Sequence, residues 1–144
     1  MGKSASGKDT IFKQLLEQST YPWKTVVIYT TRPSRPGEQN GVEYFFVTEE
    51  RLQQLRTEGK IIEERRYDTV HGPWYYFTMD DEQFDLKSDA NYLMIGTLES
   101  YVQLRKYFGD EKLIPIYIQV DLGVRLERAL ARERLQKTPK YEEL

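Results

Sequence analysis

The sequence predicts an α/β fold: three layers, α/β/α, around a parallel central sheet, with a small and mostly antiparallel insert. Two observations carry this. Segments of strand composition alternate with segments of helical period, at spacings that fit crossover connections, which makes successive strands parallel and puts helices on both faces. The front of the chain, Gly2-Lys3-Ser4-Ala5-Ser6-Gly7-Lys8-Asp9-Thr10, has the spacing G-x-x-x-x-G-K. In such a loop the backbone N–H groups wrap a phosphate chain and the lysine reaches its outer phosphates.

The totals fit one domain of moderate core, since the chain has 144 residues. A net charge of −2 argues against a general nucleic-acid binder, which carries a basic excess. There is no cysteine, so disulfides and thiolate metal sites are excluded and any metal must sit on oxygens. No apolar run reaches the roughly 20 residues that span a bilayer, and the N-terminus lacks a signal-peptide layout. The expectation is therefore no membrane partner and a cytoplasmic location. Only Met1 precedes the front loop, where a buried strand is expected, and Tyr141-Glu142-Glu143-Leu144 reads as mid-helix without a stop signal. The chain is accordingly expected to be a piece of a longer one, missing its first strand and some C-terminal elements.

The front loop leads into a helix from Lys8 to about Gln18, with Ile11, Phe12, Leu15 and Leu16 on one side. Gly2 and Gly7 are expected to take torsions that other residues resist, and the amides near Gly7 and Lys8 lie at the positive end of that helix. Asp9 stands where the strict pattern has Ser or Thr, and Thr10 is one residue late with its hydroxyl in reach of a magnesium ion. Lys24–Thr31 is β-branched and aromatic, as in a buried strand. Arg32 to Gly41 is a loop by its Pro, Gly and Asn content. Glu43–Val47 reads as a short strand, and Thr48 caps a helix to about Glu58. Ile61–Thr78 reads as a hairpin with a turn near Asp68–Pro73. Asn91–Thr97 is a second buried strand, followed by a helix over Leu98–Phe108 with Tyr101, Leu104 and Phe108 inward. Leu113–Val120 is a third strand, with Pro115 near its start where the missing N–H costs least. Asp121 caps the last helix, whose Leu122, Leu126 and Leu130 are expected to face inward.

Arg32 and Arg35, three apart in a loop shaped by proline and glycine, precede Tyr44 at the start of a strand. A guanidinium fork suits a bidentate grip on phosphate, and a tyrosine hydroxyl adds a donor. Beside a front loop for a phosphate chain, a second phosphate-gripping loop implies a phosphorylated acceptor. The stretch Thr-Thr-Arg-Pro-Ser-Arg-Pro-Gly-Glu-x-x-Gly-x-x-Tyr-x-Phe, Thr30 to Phe46, resembles the signature of guanylate kinases and guanylate-kinase-like domains. Motif, spacing and element order agree from Met1 to about Leu135.

The resemblance implies a single P-loop kinase domain over 1–144, with an acceptor-nucleotide-binding subdomain over 30–80 and the start of a lid over 133–144. It implies that Gly2 to Thr10 bind ATP, and that Arg32, Arg35, Tyr44 and Tyr76 hold the monophosphate of GMP. Thr78 takes the place of a family serine beside the base. Glu63 matches the glutamate that accepts from guanine N1–H and the 2-amine; Glu64 is adjacent, and a slip of one residue exchanges the two. On the last helix, Arg128 and Arg132 match arginines that close on the ATP phosphates, with Arg134 as an alternative. Together with Lys8 they form the catalytic set, neutralising charge on the transferring group. The implied cofactor is Mg²⁺ with ATP, with Thr10 as its protein ligand, and the implied assembly is a monomer or homodimer.

One departure concerns the acceptor. Where the family carries two aspartates, this chain has Ile95-Gly96-Thr97, so Thr97 brings a hydrogen bond to the base without a charge. Three readings stay open: transfer of the γ-phosphoryl of ATP to GMP, the same chemistry on another phosphorylated acceptor, and a binding module without catalysis. Lys8, between Gly7 and Asp9, favours an enzyme.

Overall fold

The computed structural model describes residues 1–137, 139 and 141. Thr138, Lys140 and Glu142–Leu144, which belong to the expected lid, lie outside the described residues. Helix α1 covers Lys8–Gln18, as its apolar period predicts. The expected strand Lys24–Thr31 is divided between two sheets. Its first part, β1 (Lys24–Thr25), pairs in parallel with β6 (Tyr92–Leu93). Its last part, β2 (Tyr29–Thr30), enters a four-stranded sheet of order β3-β2-β5-β4, where β3 is Phe45–Phe46, β4 Ile61–Thr69 and β5 Gly72–Met79. Between the two, the Gln83 amide accepts from Val27 N–H at 2.8 Å and donates to Val27 C=O at 2.9 Å. A side chain thus stands in for the neighbouring strand that the crossing segment lacks.

The β2–β3 pairing is parallel, whereas β2–β5 and β4–β5 are antiparallel, so the insert is mostly antiparallel as expected. Thr69 pairs with Gly72 across the hairpin turn, inside the predicted Asp68–Pro73 window. Gly72 adopts φ 97° there, a torsion that suits glycine. Alternation along these strands gives the sheet two unlike faces. One carries Tyr29, Tyr75 and Phe77 and packs on helix α2 (Glu49–Thr57) through Leu52 and Leu55, with Met79 completing the core. Thr48 caps α2, accepting from Arg51 N–H. The other face carries Thr30, Glu63, Arg65, Tyr76 and Thr78.

Helix α3 (Leu98–Phe108) lies against the outer edge of β4. The Gln103 amide accepts from Glu64 N–H and donates to Glu64 C=O, both at 2.9 Å. Leu104 is buried, as expected, with Tyr101 and Phe108 half-buried.

Three expectations fail in the half built around the front loop. Asn91–Thr97 contributes only the two residues of β6 to a ladder. Leu113–Val120 joins no strand ladder. Its backbone partner is Met1, whose N–H donates to Ile116 C=O at 2.5 Å and whose C=O accepts from Ile118 N–H at 2.8 Å, while Val120 C=O accepts from Arg125 Nε at 3.2 Å. Pro115 has no N–H to extend that pairing, and Ile114 and Ile116 are exposed. In helix α4 (Leu122–Arg134), Leu122, Leu126 and Leu130 are exposed rather than inward. The turned-in stripe is instead Arg125, Ala129 and Glu133, spaced four apart. The apolar side of α1 is also partly exposed, and α1 has no buried residue.

Candidate active site

The front loop is shaped by three backbone constraints. Gly2 has no room for a side chain, because a Cβ there would lie 2.8 Å from Ile118 C=O and from Ser6 Oγ. It is crowding, and not a left-handed torsion, that requires glycine at this position. Gly7 does adopt the left-handed conformation, at φ 86°, and forms the N-cap of α1. Ala5 is also left-handed, at φ 57°, which for an L-residue costs roughly 1–2 kcal/mol. Amides from such a loop converge at the positive end of a helix, which favours an anion. Ser6 Oγ lies inside it and, among the described residues, is the one buried side-chain nitrogen or oxygen without a hydrogen-bond partner.

Lys8 donates from Nζ to Lys3 C=O at 3.0 Å, and burial holds its pKa below the usual lysine value, opposed by the charge of Asp9. Arg128 Nη1 donates to Ala5 C=O at 3.4 Å, so α4 delivers a guanidinium to the rim of the loop. Arg132 lies one turn further along and is exposed, as are Lys3, Ser4, Asp9 and Thr10.

The second loop is organised by a residue that the sequence reading did not single out. Glu38 accepts from Arg32 Nη2 at 2.8 Å, from Arg32 Nη1 at 3.0 Å and from Arg35 N–H at 2.7 Å. The hydrogen bonds from Arg32 hold its carboxyl below the usual carboxylate range. Arg32 also donates to Pro33 C=O and is buried, whereas Arg35 is exposed. The guanidinium carbon of Arg32 sits 5.4 Å from the Tyr44 ring centre and 5.6 Å from that of Phe46, within cation–π range. Tyr44 meets Tyr76 edge-on at 5.6 Å. Burial and then Tyr76 raise the pKa of the Tyr44 hydroxyl against the opposing charge of Arg32, which keeps it protonated and able to donate.

At the far end of that face, register places Glu63 opposite Thr78 and Arg65 opposite Tyr76. Glu63 accepts from Arg65 Nε at 3.0 Å, from Arg65 Nη2 at 3.2 Å and from Thr78 Oγ1 at 2.9 Å. Glu64 points the other way, to Arg56, whose guanidinium lies 5.0 Å from the Tyr75 ring centre. Glu63, and not Glu64, is thus on the face with Tyr76 and Thr78. Thr97 is engaged elsewhere: it caps α3 in a reciprocal capping box with Ser100. Arg65, like Glu38, was not anticipated. The available signal was its position two residues after Glu63 in a strand, which puts opposite charges on one face.

The chain thus carries a glycine-shaped loop at the start of a helix and a second loop that holds a buried arginine. A family model described as Guanylate kinase matches residues 1–71. The guanylate kinase of Wolbachia pipientis wMel is 32% identical, over 96% of this chain and 75% of that one. The human guanylate kinase is 41% identical over 46% of this chain and 34% of its own length. Among solved structures, guanylate kinase from Anaplasma phagocytophilum matches with a TM-score of 0.65 and 26% identity, over 90% of this chain and 64% of that one. The chain therefore spans between about a third and three quarters of the relatives it matches. It belongs to the guanylate kinase family, and the α/β class predicted from the sequence is borne out.

Among the described residues no helix is long and apolar enough to cross a membrane, and no group of three His, Cys, Asp or Glu side chains is placed to hold a metal ion.

Proposed function

We propose that this chain transfers the γ-phosphoryl group of ATP to GMP, giving ADP and GDP. The observation that carries the reading is a buried Arg32 held by Glu38 beside Tyr44 and Tyr76, in a chain whose front loop has the Arg128 guanidinium at its rim. The loop amides and Lys8 hold the donor phosphates. Arg32, Arg35, Tyr44 and Tyr76 hold the acceptor monophosphate, and Glu38 keeps Arg32 in the loop until that phosphate arrives. Arg128, with Arg132 behind it, neutralises charge on the transferring group. Such chemistry is largely positioning and electrostatics, with one P–O bond made to the acceptor and one broken to ADP.

Mg²⁺ bound together with ATP would add charge neutralisation. Mg²⁺ takes oxygen ligands, and needs only one or two from the protein when phosphates supply the rest. Thr10, with the Asp9 carboxylate next to it in the first turn of α1, fits that requirement. The second reading, the same chemistry on another phosphorylated acceptor, is favoured by the occupied state of Glu63 and the capping role of Thr97.

The test is a coupled ADP-release assay with ATP and magnesium, offering GMP, dGMP, AMP, CMP and UMP in turn. Turnover with GMP, lost in Lys8→Ala, is the expected result. Turnover with another monophosphate alone keeps the mechanism and changes the acceptor. Folded protein that binds GMP without turning it over is instead a binding module.

A further inference from the structure

Residues two apart in a regular strand share a face. Ile61 and Glu63 do not. Ile61 packs against the core cluster and pairs with Met79, whereas Glu63 pairs with Thr78 on the opposite face. The register shifts between them, so Ile62 is an extra residue of β4, a β-bulge. A ladder running on from Ile61 and Met79 without the bulge would put Ile62 opposite Thr78 and Glu64 opposite Tyr76, and would turn Glu63 to the core side. The stretch Glu63-Glu64-Arg65-Arg66 does not choose between these registers, because either face receives a glutamate followed two residues later by an arginine. The choice lies with the bulge.

Two contacts hold it. Ile62 is buried and lines a cavity with Phe84, Tyr107 and Phe108; in the regular ladder this apolar side chain would stand beside Thr78 instead. Immediately past the bulge, the Gln103 amide of α3 binds both backbone groups of Glu64 at 2.9 Å. It thereby gives a partner to β4, which is an edge strand. The Glu64 side chain then meets Arg56, and Glu63 meets Arg65 and Thr78.

We infer that Ile62 is the positioning residue that presents Glu63, and not Glu64, to the acceptor. The inference rests on the nucleoside monophosphate kinase reading above and adds the residue that sets the phase of the acceptor strand. A carboxylate in that place accepts from the N–H donors of a guanine edge. When the bulge loses its anchor the two registers compete, and Glu63, Arg65 and Tyr67 give way on that face to Ile62, Glu64 and Arg66.

The experiment compares Ile62→Ser, Ile62→Val and deletion of Ile62 in the full chain, with KM for GMP and for ATP measured separately and Tm recorded. Ile62→Ser is expected to raise the KM for GMP about tenfold and to leave that for ATP within about twofold. Ile62→Val, still apolar, should stay within about twofold of wild type for both. Deletion removes the extra residue yet leaves Ile61 opposite Met79 and Glu63 opposite Thr78, so it should raise the KM for GMP less than serine does. A packing role alone predicts the reverse, since deletion removes the whole side chain. A greater loss on deletion, an unchanged KM for GMP in folded Ile62→Ser, or equal increases for GMP and ATP overturns the inference and leaves the proposed activity intact. Where these variants do not fold, Glu64→Gln decides. Its KM for GMP is expected within about twofold of wild type, and an increase of about tenfold overturns the inference by placing Glu64 at the acceptor. A wild type that neither binds nor turns over any monophosphate overturns both the inference and the proposed function.

Discussion

Phe77 and Leu15 are both apolar residues on regular elements, and the structure treats them differently. Phe77, in the mostly antiparallel insert, is fully buried between a four-stranded sheet and α2, whereas Leu15, on the helix after the front loop, is 39% exposed. The contrast extends to whole regions. The insert has an eight-pair β4–β5 ladder and a core of Leu52, Leu55, Phe77 and Met79. The half built around the front loop has a two-residue ladder and a pair of hydrogen bonds in which Met1 donates once and accepts once, with Ile11, Leu16, Ile114, Ile116 and Leu126 exposed. The two halves are shaped by different means. In the insert, strand register sets which side chains share a face. In the other half, backbone torsions and crowding set the course of one short loop.

The strongest test of this contrast is a matched pair of truncations read by urea unfolding. Phe77→Ala is expected to cost about 3–5 kcal/mol, as for a large buried aromatic, and Leu15→Ala to change stability by no more than about 0.5 kcal/mol. Equal losses would show that the phosphate-loop half is packed as firmly as the insert.

Glu38→Gln comes next, because it leaves the Arg32 guanidinium buried without its charge partner. A loss of about 1–3 kcal/mol is expected, with a higher KM for the acceptor. The same contact carries a pH dependence. The folded-state pKa of Glu38 is depressed below its ordinary 4.5 by its bonds to Arg32. Its contribution is therefore present above that ordinary value and disappears as pH falls through the lower folded-state one. Thermal melts across that acidic range should converge for wild type and Glu38→Gln.

Gly7→Ala introduces a Cβ at φ 86°, a strain of about 1–2 kcal/mol. The loop can relieve it by turning its amides away, so the expected readout is a higher KM for ATP with the acceptor KM unchanged.

The smallest effect is that of Thr97→Ala. Loss of an N-cap costs about 1 kcal/mol, seen as a lower Tm. The choice among monophosphates should not move, because the Thr97 hydroxyl is committed to Ser100 N–H. A changed choice would place Thr97 at the base after all.

Much of the fold was legible because it is encoded locally. Helices α1, α2 and α3 follow from apolar period and capping residues, and the hairpin follows from strand formers around a Gly-containing turn. What misled the reading were apolar runs in Lys24–Thr31 and Leu113–Val120. Composition says that such segments are fit for burial in a sheet, but a strand exists only where a partner supplies hydrogen bonds. Val26–Ile28 crosses between two sheets, and among the described residues the backbone of Leu113–Val120 pairs with Met1 and with no strand. In α4 the amphipathic period was read correctly as a period, but the side turned inward is the one with Arg125 and Glu133.

Sequence alone determined the front loop and the chemistry it offers, because seven consecutive residues carry the glycines, the lysine and the helix start. It likewise determined the family, through a second loop whose arginines, glycines and tyrosine lie within one short stretch. Only the tertiary structure decided what the charged groups face. Glu63 is turned to Arg65 and Thr78, Arg32 to Glu38, and Thr97 to its own helix. Spacing along the chain states which donors and acceptors exist, but a hydrogen bond forms over about 3 Å in a set direction. Those distances are set by strand register and by the approach of elements far apart in sequence.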